Sequence, residues 1–286
     1  MSIMRSLSYI ILVISIITGG SSRIFAQQSL KVISYNILEG MVRDTTAGKK
    51  DFVAWLKQQN PDILALEECN KFTQKSLEEM AHQYGHPYAV LLKETGYPVA
   101  LTSKYPIVNV HRVLDNMHHG FILARIKDYH VIVLHLSPHK YRKRREEIDV
   151  ILQTIAAQPS QKRWMIMGDF NSYSPLDKAN YADGKTVKWL QDLAKKYPFH
   201  DNLIDGQYLD FEVQQKILDF GLIDVLKRQA EKHPADAKNI IPGKNRIDYI
   251  YVSKDLGNKV TDARFLRDDF TKTHSDHIPI IIELKN

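Results

Sequence analysis

Apolar residues along the chain gather into short runs of β type, each ended by a polar residue, with helical periodicity in the intervals. Residues 30–38, 62–67, 99–103, 121–126, 130–136, 163–168, 247–252 and 278–283 are rich in Val, Ile, Leu, Met and Tyr and read as strands. Residues 50–59, closed by Asn60-Pro61, and residues 72–84, 141–157 and 186–196 carry the spacing of amphipathic helices. The runs at 121–126 and 130–136 are separated only by Lys127, Asp128 and Tyr129, which predicts a hairpin. Strands and helices therefore mix without strict alternation, and a mixed-sheet α/β or α+β architecture follows.

The polar residues that end these runs are the informative ones. Asn36 ends the first run and Glu68 the second; His135 closes the hairpin's second strand. Asp169 and Asn171 follow Met165-Ile-Met-Gly168, and Asp276-His277 precedes the last strand. Side chains at strand ends are held rigidly by a sheet, so this distribution predicts one cleft lined by carboxylates, amides and imidazoles.

Each motif has a plain structural reading beside the chemical one. Asp169 and Asn171 lie two apart and, on extended backbone, face the same way; a carboxylate and an amide so placed suit activation of a water beside a phosphoryl group. Gly-Asp and Asn-Ser are also turn-prone pairs. Asp248 interrupts a strand of Ile, Tyr and Val, so a buried partner is implied, with Arg246 the structural candidate. His277 beside Asp276 suits charge stabilisation near neutral pH, while the same His-Ser-Asp-His sequence is compatible with an ordinary loop. His135 alone, in an apolar run, reads as a core histidine, and Glu68 or Asn36 alone as a cap or surface group.

Composition narrows the setting. At 286 residues, 44% hydrophobic and 25% charged, the sequence is that of a folded globular protein with a sizeable core. Arg5, an apolar run over 7–17 and a small or polar segment to Ala26 form a signal-peptide pattern, predicting residues 1–26 as a leader, 27–286 as one domain, and an exported protein. An uncleaved anchor is the alternative, although the run is well short of the roughly 20 residues a spanning helix needs. Loss of residues 1–26 removes Arg5 and Arg23 and no acid, lowering the net charge from +6 to +4. That mild basicity suits an anionic substrate without selecting one. Cys69 is the only cysteine, so no intrachain disulfide forms.

Taken together, Ser34-Tyr35-Asn36, Pro61 to Glu68, Val133-Leu-His-Leu136, Gly168-Asp-Phe-Asn171, Arg246-Ile-Asp-Tyr249 and Ser275-Asp-His277 occur in the order of six motifs of the endonuclease/exonuclease/phosphatase superfamily, which the chain resembles over about residues 30–284. Ala100 to Pro106 and Phe220 to Val225 match its intervening segments more weakly. The resemblance implies an α+β fold of the DNase I-like kind: a four-layer α/β/β/α sandwich of two mixed sheets with the cleft at one end. It implies Mg²⁺ or Mn²⁺ held by Glu68, with Asn36 and Asp276 contributing, and Asn36 also meeting the phosphate. Asp169 would activate water, Asn171 hold a phosphate oxygen, Asp248 orient His277, His277 stabilise the transition state, and His135 act as electrophile or general acid. Some branches carry a metal-binding acid two residues beyond the opening asparagine; here Leu38 stands there, and Glu39 is a candidate offset by one.

The function expected is hydrolysis of a phosphodiester, or of a phosphomonoester, by in-line attack of water, with no nucleophilic Ser or Cys motif present. A nuclease or phosphodiesterase leads. A sphingomyelinase-like phospholipid hydrolase, a sugar or inositol phosphate hydrolase, and a module that only binds phosphorylated ligands are the alternatives. The substrate class is correspondingly nucleic acid, phospholipid headgroup or sugar phosphate; no protein partner is called for, and a monomer is expected. The basic run from His139 to Arg145 reads chiefly as a solvated helix start offset by Glu146 and Glu147, and His82, His86, His118 and His119 lack the spacing of a zinc site.

Overall fold

The computed structural model of the chain describes residues 29–285 apart from 242 and 244. Residues 1–26, read above as a leader, lie outside the described residues, and among those described no helix is long and apolar enough to cross a membrane. Among the described residues, fourteen strands follow in chain order. They are β1 (Ser29–Asn36), β2 (Ile63–Glu67), β3 (Tyr88–Leu91), β4 (Ala100–Ser103), β5 (Ile107–Val113), β6 (Phe121–Ile126) and β7 (Tyr129–His135). The second half adds β8 (Trp164–Asp169), β9 (Leu203–Ile204), β10 (Tyr208–Leu209), β11 (Ile223–Asp224), β12 (Asp248–Val252), β13 (Val260–Phe265) and β14 (Ile280–Lys285).

Two six-stranded sheets result, ordered β13-β14-β1-β2-β4-β3 and β11-β12-β8-β7-β6-β5. Each is mixed: β1 pairs parallel with β2 and β7 parallel with β8, while the other pairings are antiparallel. Alternate residues of each strand point to opposite faces, and here both faces are covered. Val32, Ala65, Val131, Val133, Met165, Met167, Ile250 and Ile282 meet in the core between the sheets. The opposite alternation, Ile33, Tyr35, Leu64 and Leu66, packs against Phe52, Trp55 and Leu56 of helix Lys50–Gln59 and Leu77 and Met80 of helix Gln74–Gln83. On the far side, Ile132, Leu134, Ile166 and Tyr251 pack against Ile148, Ile151 and Ile155 of helix Tyr141–Ala156 and Val213 and Ile217 of helix Glu212–Asp219. The layers run helix, sheet, sheet, helix, as the resemblance implied.

The hairpin is tighter than the sequence suggested. Ile126 pairs with Tyr129, leaving a two-residue turn of Lys127 and Asp128. Tyr129 belongs to β7 because its ring is buried, with the Arg163 guanidinium 4.3 Å over it and hydrogen-bonded to its hydroxyl. The strands absent from the hydrophobic pattern are the four edges of the large sheets, β3, β5, β11 and β13, and the short pair β9 and β10. β5 exposes Asn109, His111 and Arg112, so its sequence carries no apolar run to read.

Candidate active site

The inward alternation of the central strands turns polar at one end of the sandwich. Val32 is followed by Ser34 and Asn36, Ala65 by Glu67, Val133 by His135, and Met167 by Asp169; β12 begins with Asp248 before Ile250. Register aligns these ends. His135 on β7 lies opposite Asp169 on β8, which lies opposite Asp248 on β12, while Asn36 on β1 lies opposite Glu67 on β2. A row of three polar residues on one sheet thus faces a polar pair on the other across the mouth of the core.

Gly168 permits the close spacing of β7 and β8. Its φ is +138°, and a Cβ there would stand 2.0 Å from the Leu134 carbonyl oxygen. Beyond Asp169 the chain turns: Asn171 adopts φ 48°, a left-handed conformation that Asn tolerates better than most residues. That corrects the expectation that Asp169 and Asn171 face the same way along extended backbone. The Asn171 backbone N–H donates to Asp169 Oδ1 at 2.8 Å, and its side-chain amide donates to the Leu136 carbonyl at 3.1 Å, so Asn171 braces the loop that carries Asp169.

Asp169 is the hub. Its Oδ2 accepts from Asn36 Nδ2 at 3.1 Å and lies 3.6 Å from His135 Nε2 and 3.8 Å from His277 Nε2. The Asn36 amide also donates to Glu68 Oε1 at 3.1 Å, and its oxygen accepts from Leu38 N. Asn36 therefore works as a donor held between two carboxylates that would otherwise repel each other, rather than presenting its oxygen. Glu68 stands just past β2 at φ 59°, half-buried, with its Oε2 accepting from the Glu39 amide. Ser275 ties the far loop in by donating to the Asn36 carbonyl at 2.8 Å and accepting from the His277 N–H. His277 Nδ1 bonds Asp248 Oδ2 at 2.8 Å.

Protonation follows from these contacts. Burial and the neighbouring Asp248 carboxylate push Asp169 up to about 7. Burial works against charge on His277, but Asp248 and then Asp169 overcome it and hold its pKa well above the ordinary histidine value. His135 is driven well below that value by burial and by the neighbouring imidazoles, His119 first. The two histidines flanking Asp169 thus differ, one charged and one neutral. Glu67, fully buried, is pushed well up by burial and by Asp248 and Asp169, so it stays a neutral acid with Ser34 donating to its Oε1.

Several expectations are sharpened. The partner of Asp248 is His277; Arg246 instead pairs with Asp177 and Asp224 in a buried cluster. Asp276 is exposed and lines, with Asp248, His277, Arg267 and Phe265, a cavity of about 260 Å³ beside the centre. Glu39 lends its backbone to Glu68, while its carboxylate accepts from the Tyr97 hydroxyl at 3.2 Å. Arg142, Lys143 and Arg145 are spent on Asp201, Glu146, and Asp210 with Glu212. His86 is structural, bonded to Thr102 and to the Pro61 carbonyl. His119, in contrast, stacks on His135 with ring centroids 4.3 Å apart. Nothing in its local sequence marks it, because the β6–β7 hairpin alone brings the residue before Gly120 beside the end of β7. Glu67 was legible: it continues the inward alternation of Ile63 and Ala65.

Among the described residues, Asp169, Asp248 and His277 bring ligand atoms within 4.8 Å of one another. The 2.8 Å His277–Asp248 bond takes up the imidazole Nδ1, and because Asp248 and Asp169 hold the ring in its charged form, Nε2 carries a proton rather than a lone pair for an ion. The oxygens of Glu68, with Asp169 one amide away, form the harder donor set.

The model of the endonuclease/exonuclease/phosphatase family matches residues 33–277. Among solved structures, an AP endonuclease from Archaeoglobus fulgidus superposes with a TM-score of 0.62 at 19% identity, over 90% of this chain and 100% of that one. The 3'-5' exonuclease NExo from Neisseria meningitidis gives a TM-score of 0.62 at 21% identity, over 90% of this chain and 100% of that chain. A structure of NExo as a 3' phosphatase bound to product DNA hairpin gives 0.59 at 21%, over 89% and 99%. No match was found among curated proteins. These structures share its fold, and the family match over most of the chain, together with the ordered motifs and the site they build, shows that the chain belongs to the endonuclease/exonuclease/phosphatase family.

Proposed function

We propose that the protein is an exported phosphoesterase that uses Mg²⁺ or Mn²⁺ to hydrolyse phosphodiester bonds by in-line attack of water. The observation that carries this reading is the register row His135, Asp169, Asp248, completed by His277 and met across the core by Asn36 and Glu68. Asp169 Oδ2 stands 3.6 Å from His135 Nε2 and 3.8 Å from His277 Nε2, too far to bond either, so both imidazoles can turn an Nε2–H to a substrate oxygen.

In the proposed reaction a phosphoryl oxygen enters between the histidines and water approaches Asp169. The Asp169 carboxylate accepts the water proton as the new P–O bond forms and the P–O bond to the leaving group breaks; the leaving oxygen takes its proton from solvent water and departs as the alcohol, with no bond to the enzyme at any point. His277, kept charged by Asp248, donates to the oxygen on which charge develops. His135, kept neutral, acts as an electrophile through its Nε2–H, and its low pKa argues against the general-acid alternative. Asn36 holds Asp169 and Glu68 in place. Glu68 would hold the ion, with Asn36 beside it and Asp276 the further candidate; the all-oxygen donors fit a hard cation. When bound, such an ion neutralises phosphate charge and polarises the ester.

The test is to express the chain with its leader in an exporting host and purify it from outside the cytoplasm, where a protein beginning at Gln27 is expected. That protein should hydrolyse bis(p-nitrophenyl) phosphate with Mn²⁺ or Mg²⁺, lose turnover with EDTA, and lose about 10²–10⁴-fold in kcat on Asp169→Asn. Turnover untouched by EDTA removes the ion from the proposal, and turnover untouched by Asp169→Asn removes Asp169. Recovery only inside the cytoplasm removes export.

A further inference from the structure

From the catalytic centre a chain of aromatic rings runs to the surface. His135 stacks on His119, which meets His118; His118 meets His139, and His139 meets Phe199, in four steps of 4.3 to 5.3 Å between centroids. Tyr97 flanks His119 at 5.6 Å. The inner two rings are buried, but His118 and Tyr97 are exposed, His139 is half-buried, and Phe199 is 54% exposed. His119 Nε2 and His139 Nδ1 are buried and find no hydrogen-bond partner among the described residues. Lys93, partly buried near His118 and His119, makes no ion pair with the described residues. The reaction above uses none of these features beyond His135.

We infer that this ring track, with Lys93 beside it, binds the bases of a single-stranded nucleic acid leaving the scissile phosphate, an inference that rests on the phosphodiesterase reading of the adjoining site. Unstacked bases present a π-face to each exposed ring, which is the sequence-tolerant way single strands are held. A duplex has those faces already occupied. Acyl chains would bury the exposed His118 ring and the Lys93 ammonium against hydrocarbon, which is costly, and a sugar phosphate has neither π-face nor length to span the rings from His118 to Phe199. Lys93 supplies the charge for a flanking phosphate. Beyond His139, a cavity of about 460 Å³ lined by Gln191, Lys195, His200 and Asn202 offers donors and acceptors to a base edge.

The experiment measures fluorescence anisotropy of the Asp169→Asn protein, in Mg²⁺, with a labelled oligodeoxynucleotide of eight or so residues and with an abasic strand of the same length and charge. The base-bearing strand is expected to bind at least about tenfold tighter. Phe199→Ala and His118→Ala should each weaken it roughly 5- to 100-fold while leaving the abasic strand alone. Lys93→Ala should flatten the slope of log affinity against log salt by about 0.7 for both strands. Tyr88→Ala should change nothing, since Tyr88 pairs with Ser103 at the end of its sheet away from Glu67. Equal binding of the two strands, or indifference to Phe199→Ala and His118→Ala, overturns the inference. Binding to sphingomyelin–phosphatidylcholine vesicles that Phe199→Ala abolishes, with no oligonucleotide binding, overturns it in favour of a lipid surface. Turnover of bis(p-nitrophenyl) phosphate by the wild type without base discrimination sinks the track alone; no turnover of any phosphate ester sinks the site reading on which it rests.

Discussion

His277 shows how much of this site's chemistry is set by a single neighbour. Its imidazole is nearly buried, which favours the neutral form, and only the 2.8 Å bond to Asp248 reverses that. A histidine whose pKa is raised is charged below that pKa and loses its charge as pH rises through it. If the charge is what stabilises the transition state, kcat/KM falls on the alkaline side as His277 deprotonates and on the acid side as Asp169, near 7, takes up a proton. Asp248→Asn keeps the shape but removes the charge. It should move the alkaline limb to lower pH and cost about 10²–10⁴-fold in kcat near neutrality; a pH–rate profile with the limb unmoved would separate Asp248 from the charge on His277. The identities of both residues were legible in the sequence, and the family resemblance implied that Asp248 orients His277; local sequence alone pointed to Arg246, two positions from Asp248, because 28 other residues separate Asp248 from His277.

At the scale of elements, the strand ends matter more than the motifs that name them. β7, β8 and β12 bring His135, Asp169 and Asp248 into one row because a parallel and an antiparallel ladder meet in register on β8. Gly168 allows that meeting. Gly168→Ala forces a Cβ to within 2.0 Å of the Leu134 carbonyl, at a φ of +138° that side chains avoid, so the β7–β8 ladder must part just before Asp169. A stability loss of about 3 kcal/mol or more is expected by urea denaturation, with turnover lost even where the protein still folds; a variant as stable and active as the wild type would show that the spacing is not set here. The hydrophobic pattern disclosed these central strands since both their faces are covered and their runs are long. It concealed β5 and β13, whose edge position lets polar residues into the run, and the helices Glu212–Asp219 and Val225–Lys232, which are short and largely polar.

The whole molecule buries several histidines in the neutral state, and its stability should reflect them. His86 is wholly enclosed, with one nitrogen donating to the Pro61 carbonyl and the other accepting from the Thr102 hydroxyl, and burial lowers it to about 4. A depressed histidine contributes stability that is present above its unfolded value near 6.5 and is lost as pH falls toward its folded value. Unfolding free energy should therefore drop by up to about 3 kcal/mol from His86 alone between pH 7 and 4. His86→Gln, which keeps a donor and an acceptor, should flatten that fall in a urea titration; an equally steep fall would assign the acid sensitivity to other groups, with His119 and His135 the next to test.

The sequence by itself determined which residues are polar where the inward alternation ends, and hence that the molecule has one rigid cleft of carboxylates, amides and imidazoles. Local patterning suffices for that, because alternation along a strand is a property of consecutive residues. What the tertiary structure decided is who meets whom: Asn36 between Glu68 and Asp169, Arg246 on Asp177 and Asp224 rather than on Asp248, Asn171 turned to brace a loop, and His119 stacked on His135 at the head of a row of rings. Those pairings depend on strand register and on two sheets closing over one core, and charge states in turn depend on the burial that closure imposes. No window of neighbouring residues contains that information.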